Sequence, residues 1–147
     1  MQVQPYLFFE GRCEEAVNFY KKALKAEVKA LLRYRDMPAT PDTADASGCA
    51  AGTAPPPDSI MHASFKIGET EVMASDGMAS GKPEFKGLSL ALSPATEAQA
   101  RTFFTALSEG GQVQAALGKT FFSPCFGVVT DKFGVSWMVV VPAPMPQ

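Results

Sequence analysis

Apolar residues recur along the chain with two different periods. Over residues 13–25 they fall at helical spacing, with Ala16, Val17, Phe19, Tyr20, Ala23 and Leu24 forming one stripe. Glu14 and Glu15 occupy the first turn and Lys21, Lys22 and Lys25 the last, which complements the partial charges at the two helix ends. A second helical stripe, Ala100, Phe103, Phe104 and Leu107, opens at Thr96 with Gln99 three residues on as a capping box. It ends at Gly110-Gly111. Around the helices lie short β-rich runs bounded by turn residues, at 6–10, 27–34, 60–67, 71–75, 88–93, 112–117, 126–130 and 135–141. The order this predicts is β-α-β-β-β, twice.

One interval breaks the rhythm. Residues 37–58 are rich in Pro, Ala, Asp and Thr and include Pro55-Pro56-Pro57, which reads as an inserted loop. Either a solvated insertion or a lid over a pocket fits that composition. An internal repeat locates the insertion independently. Phe19-Tyr20-x-x-Ala23-Leu24 is matched 84 residues later by Phe103-Phe104-x-Ala106-Leu107. Lys66-Ile67-Gly68-x-Thr70 is matched only 66 residues later by Lys132-Phe133-Gly134-x-Ser136. The first half therefore carries about 18 extra residues between its helix and its last strand, and the 37–58 loop lies in that interval. The expected organisation is a single domain, 1–147, with module one at about 1–78 and module two at about 86–142.

Composition narrows the function classes. With 147 residues, 46% hydrophobic and 19% charged, the chain can bury one substantial core. A net charge of −2 provides no basic field for a phosphate backbone, so a nucleic-acid partner is not expected. No apolar run reaches the roughly 20 residues that cross a bilayer. The first residues, Met1-Gln2-Val3-Gln4-Pro5, lack the basic start of an export signal. Cys13, Cys49 and Cys125 form no C-x-x-C motif and read as free thiols of a reducing compartment, so a cytoplasmic location is expected.

Several motifs, taken in order, resemble the glyoxalase/bleomycin-resistance (vicinal oxygen chelate) superfamily, and within it the PhnB-like branch. They are Tyr6-Leu7-Phe8-Phe9-Glu10-Gly11, Glu15-Ala16-x-x-Phe19-Tyr20, His62-Ala63-x-Phe65-x-Ile67-Gly68, Val72-Met73-x-Ser75-Asp76 and Val129-Thr130-Asp131-x-Phe133-Gly134-Val135-x-Trp137. Lys132 stands where that branch usually has proline. The resemblance implies an α+β fold in which two βαβββ modules form a cupped mixed sheet with the helices on its convex side. Alternation then assigns faces. Leu7, Phe9, Met61, Ala63, Phe65, Ile67, Leu88, Leu90 and Leu92 turn to the helices, as does Trp137. Gln4, Tyr6, Phe8, Glu10, His62, Ser64, Lys66, Gly87, Ser89 and Ala91 turn to the cup. Phe121 and Phe122 are expected in the core or lining the cup.

Metal-dependent relatives hold their ion on the first and last strands of each half, and motif alignment gives Gln4, Val72, Gly87 and Met138 at those positions. Those side chains lack the imidazole and carboxylate donors that a divalent ion needs, so neither a metal nor another cofactor is expected. His62, the single histidine, fits a structural hydrogen bond or a ligand contact better than a catalytic base. Glu10, Asp76 and Asp131, at strand ends, read as turn residues. No catalytic residue is assigned.

The favoured expectation is a metal-free module that binds a small apolar or aromatic molecule through Tyr6, Phe8, His62, Ser64 and Ser89. A metal-dependent isomerase, lyase or dioxygenase and a structural domain without a small ligand are the alternatives. The branch's usual label of demethylubiquinone methyltransferase gains no support, because no Gly-rich cofactor loop follows the first strand. A homodimer is expected, since a cupped sheet leaves edges for a partner to complete.

Overall fold

The computed structural model describes residues 1–36 and 56–143. Cys49 and most of the 37–58 insertion, including the question whether it acts as a lid, lie outside the described residues. The chain forms two compact units, Met1–Pro83 and Glu84–Gln147.

In the first unit, β1 (Tyr6–Phe8) leads into α1 (Cys13–Ala23), β2 (Glu27–Arg33) and a 3₁₀ turn (Tyr34–Asp36). Strands β3 (Ile60–Ile67) and β4 (Thr70–Ser75) follow. The strand order is β1-β4-β3-β2, with β1 parallel to β4 and the other pairs antiparallel. The second unit repeats this plan with β5 (Leu90–Leu92), α2 (Glu97–Ser108), β6 (Gln112–Gly118), β7 (Phe126–Thr130) and β8 (Ser136–Val140), in the order β5-β8-β7-β6. Its outer strand β5 is again parallel to β8. The fold is α+β, with the βαβββ unit present twice.

Each helix covers one face of its own sheet because its apolar stripe has no other place to go. Tyr20 on α1 is fully buried, stacking on Phe65 of β3 at 5.9 Å and tilting against Phe9 at 6.2 Å. Leu7, Ala63, Val72 and Ala74 complete that layer. In the second unit Ala100, Phe104 and Leu107 are buried with Val129, Trp137 and Val139, so Trp137 lies on the expected side. Gly127 makes this approach possible. A Cβ there would meet the Phe104 ring at 2.8 Å and the Ala115 carbonyl at 3.1 Å.

Helix ends follow the sequence signals with one difference. Thr96 Oγ1 accepts from the Gln99 backbone N–H at 3.2 Å, but the returning Gln99 carbonyl accepts from Ala95, one residue before the cap. The first helix closes without glycine. Lys25 adopts φ +57, and the N–H groups of Leu24 and Ala26 both reach the Tyr20 carbonyl.

Several expectations need correction. The run 6–10 pairs only as far as Phe8, because Glu10 and Gly11 turn the chain at φ +52 and +105. The run 88–93 shortens to Leu90–Leu92 and leaves Leu88 46% exposed, just after Gly87 at φ +73. Met61 is only half-buried while Ile60 is buried. The register passes from Leu32↔His62 to Arg33↔Ile60, so Met61 is skipped as a bulge and strict alternation stops there. Ile67 and Phe103 are half-buried. Phe121 is fully exposed and Phe122 is 46% exposed, packed edge-on to Phe126, so neither belongs to the core.

Candidate functional site

The face of the first sheet turned away from α1 is built by three registers. Leu7 pairs with Ala74 and Ala63 with Ala74, all on the helix side, so their neighbours Tyr6, Phe8, His62, Ser64, Met73 and Ser75 share the opposite side. Four of the five expected site residues, Tyr6, Phe8, His62 and Ser64, are thus brought onto one face. The fifth, Ser89, lies in the other unit, exposed, where its Oγ is 2.6 Å from that of Ser136.

On this face Tyr6 is the centre. Its ring lies 5.1 Å from that of Phe8 and 5.8 Å from that of His62, and its phenol oxygen is 3.3 Å from His62 Nδ1. Phe8 is 52% exposed and Tyr6 38%, which is unusual for aromatic side chains on adjacent positions of one face. Burial raises the Tyr6 phenol above its ordinary range. A side-chain hydrogen bond with Ser75 opposes that shift, and Cys13 adds to it. Ser75 is buried and also accepts from the Gly77 backbone N–H at 3.1 Å.

Beside this cluster, Ser64 is buried and its hydroxyl donates to Glu71 Oε1, while Gln4 Nε2 donates to Glu71 Oε2 at 3.5 Å. Sequence reasoning missed Ser75 and Glu71. The signal was present: alternation from the apolar Val72 and Ala74 assigns Glu71, Met73 and Ser75 to the face of Tyr6.

The same register corrects the positions compared with metal ligands. Val72 is buried on the helix side and cannot face Gln4; Glu71 does. In the second unit the corresponding contact is Ser89 with Ser136, in place of Gly87 and Met138. The motif alignment slipped because the two final hairpins differ. Ile67 pairs directly with Thr70 across Gly68-Glu69, whereas Thr130 pairs with Ser136 across residues 131–135. The corrected donors are a carboxylate and an amide, hydrogen-bonded to each other in the first unit, and two hydroxyls, hydrogen-bonded to each other in the second. They do not fit the imidazole and carboxylate set of a divalent-ion enzyme. Among the described residues no group of three or more His, Cys, Asp or Glu side chains is placed to hold a metal.

The acidic residues at strand ends divide by role. Asp131 behaves as a turn residue: it is buried and accepts from the N–H groups of Phe133 and Val135 and from Trp137 Nε1 at 2.9, 3.1 and 2.9 Å. Asp76 is instead a tertiary tie, its two oxygens accepting from Cys13 N at the start of α1 and from Ile60 N at the start of β3. Glu10 Oε2 accepts from Met78 N at 3.0 Å. Cys13 and Cys125 are buried free thiols. Burial first, then the charges of Asp76 and Glu14, push the Cys13 thiol far up, so it stays protonated.

A βαβββ unit used twice, each with a parallel outer strand, defines the glyoxalase/bleomycin-resistance class of fold. The glyoxylase/bleomycin resistance protein/dioxygenase domain from Frankia sp. EAN1pec has it too. Its TM-score is 0.61 over 97% of this chain and 95% of that one, and at 11% identity the likeness is one of fold alone. Within that class, residues 1–140 match the family described as 3-demethylubiquinone-9 3-methyltransferase, and the chain belongs to this family, the PhnB-like branch. Protein YjdN from Escherichia coli (strain K12) is 35% identical over 146 residues, 99% of either chain. PA1353 from Pseudomonas aeruginosa superposes with a TM-score of 0.78 at 38% identity, over 97% of this chain and 98% of that one. The PhnB protein from Bacillus cereus does so at 0.75 and 28%, over 96% and 99%.

Proposed function

We propose that this chain is a metal-free binding module for a small aromatic or apolar molecule, and that it works as a homodimer. The observation that carries the reading is the exposed pair Tyr6–Phe8 beside His62, on a sheet face that its own helix does not cover. Apolar rings with a few fixed polar groups are the usual make-up of a small-molecule site. The family description names a methyl transfer. Methyl transfer from S-adenosylmethionine uses a glycine-rich loop after the first strand of an α/β sheet, and β1 here runs into Phe9-Glu10-Gly11-Arg12. We therefore do not extend that activity to this chain.

Native mass spectrometry with metal analysis of the purified protein tests the reading. A co-purifying small molecule without stoichiometric metal supports it, and one metal per chain overturns it. The variant His62→Ala then separates a site residue from a structural one. His62 is half-buried and its bond to Tyr6 is solvent-accessible, so the melting temperature should stay nearly unchanged. Affinity for the molecule found should fall by about 1–3 kcal/mol, the usual cost of a lost polar partner. A large loss of stability with intact affinity would sink the assignment.

A further inference from the structure

Both exposed rings of the candidate face stand on β1, a strand of three residues that, among the described residues, pairs only with β4. Leu7 and Phe9 hold it from below, in the core. Phe8 points the other way, away from that core. The chain leaves β1 through Glu10, whose φ of +52 is costly for a residue with a side chain. A second such residue, Ala79 at φ +56, lies in the segment after β4. Strained backbone of this kind persists only where its surroundings fix it.

The two strained turns fix each other. Glu10 Oε2 accepts from Met78 N at 3.0 Å, and the Glu10 carbonyl accepts from Gly81 N at 2.6 Å. Just before them, Phe9 N donates to the Ser75 carbonyl at 2.9 Å. Gly77 leaves the room for this closure. A Cβ there would collide with the Glu10 carboxylate and would lie 3.3 Å from Phe8 Cβ. One small gap therefore seats both the carboxylate and the stem of the Phe8 ring.

We propose that Glu10 is a positioning residue for Phe8. Its carboxylate latches the end of β1 to the 77–81 turn and so holds the Phe8 ring 5.1 Å from that of Tyr6 on the open face. The partner of the carboxylate is a neutral backbone N–H, so the latch needs an acceptor at this position and not a charge. Its effect on affinity rests on the binding reading above; the placement of the ring does not.

Two measurements on the full chain test this. Through-space NMR contacts between the ring protons of Tyr6 and Phe8 should be present in the unsubstituted protein and in Glu10→Gln, whose amide oxygen can still accept. They should be lost in Glu10→Ala. Contacts that persist in Glu10→Ala overturn the latch, whatever binds, and their loss in Glu10→Gln shows that charge and not the acceptor acts. Should Glu10→Ala not fold, Glu10→Met takes its place, keeping the length of the side chain with a far weaker acceptor. The second measurement is a fluorescence titration with N-phenyl-1-naphthylamine, a neutral aromatic probe. Glu10→Ala should weaken its binding about three- to tenfold, the worth of one aromatic contact, and Glu10→Gln should restore most of it. In a Phe8→Ala background the same substitution should cost nothing further, because the residue through which Glu10 acts is gone. An equal loss in both backgrounds assigns Glu10 a role in the fold at large and overturns the proposal. If the probe does not bind the unsubstituted chain, the binding reading fails with the affinity effect, and the ring contacts alone decide the latch.

Discussion

Asp131 holds three donors at once, and all of them are out of reach of water. Its carboxylate closes the turn between β7 and β8 through Phe133 N and Val135 N and anchors the indole of Trp137, which is itself buried against α2's side of the sheet. Replacing it with alanine strands those donors, each costing about 1–3 kcal/mol when buried without a partner. Asp131→Ala is therefore expected to lose roughly 3–5 kcal/mol, measured as a lower urea midpoint, and Trp137→Phe clearly more than the loss of one bond alone would give, because the core also loses volume. A loss below about 1 kcal/mol in Asp131→Ala would mean that the turn holds without its carboxylate.

Cys13 gives the alkaline limit of the same scale. Its folded thiol is raised above its ordinary value of 9.0, so the folded state keeps a proton that the unfolded chain gives up. The stability this contributes is complete below about pH 9 and declines as pH rises beyond it. The urea midpoint should fall above pH 9, and less steeply in Cys13→Ala; an identical slope in both would assign the decline to other groups. At this scale the sequence was read in part. Asp131 as a turn residue followed from its place after an apolar run. Asp76 as a tie between Cys13 and Ile60 did not, since its partners lie 63 and 16 residues away and no local pattern encodes them.

Secondary structure was the most legible level, because alternation and helical spacing are local. Among the described residues, both helices and all eight strands fall where periodicity put them, with ends trimmed where a backbone turn intervenes, as at Glu10-Gly11. Faces were legible wherever pairing is regular and failed at the Met61 bulge, which is a property of the partner strand's register. The metal-position alignment failed for a related reason: the two hairpin turns, 68–69 and 131–135, differ by an odd number of residues, and an odd shift exchanges a strand's faces. The repeat also carries a prediction. Residues 119–125 suffice to join β6 to β7, whereas 34–59 join β2 to β3. Near the end of that longer connection, Asp58 is held by Arg33 and Arg35, and Arg35 N donates to the Pro57 carbonyl. Replacing residues 37–55 by a short Gly/Ser link, with Pro56–Asp58 kept, should preserve the fold, since loop closure entropy changes slowly with length. The far-ultraviolet spectrum and a melting temperature within a few degrees of the full chain would bear this out. A chain that no longer folds would show that the insertion packs.

On the scale of the molecule, the open strand edges pose the remaining physical question. Among the described residues strand β6 is bonded on one side only, to β7, and six of its seven residues are exposed, Val113 at 46%. Phe121 and Phe122 follow it, one fully exposed and the other nearly half so. An unpaired edge carrying apolar side chains is a template for another chain, and folded proteins normally cover it. The occupant we propose is a second copy, placed about a two-fold axis, because one self-complementary patch then covers the β6 edge of both copies at once. Light scattering at tens of micromolar should give twice the mass of the chain. The association is apolar, so raising the salt concentration should not dissociate it. Val113→Lys places a charge on the proposed edge and should shift the mass toward the monomer, with the far-ultraviolet spectrum unchanged. A monomeric mass for the unsubstituted chain would refute the dimer. A dimer that survives Val113→Lys would move the contact away from β6, toward the opposite edges formed by β1 and β5.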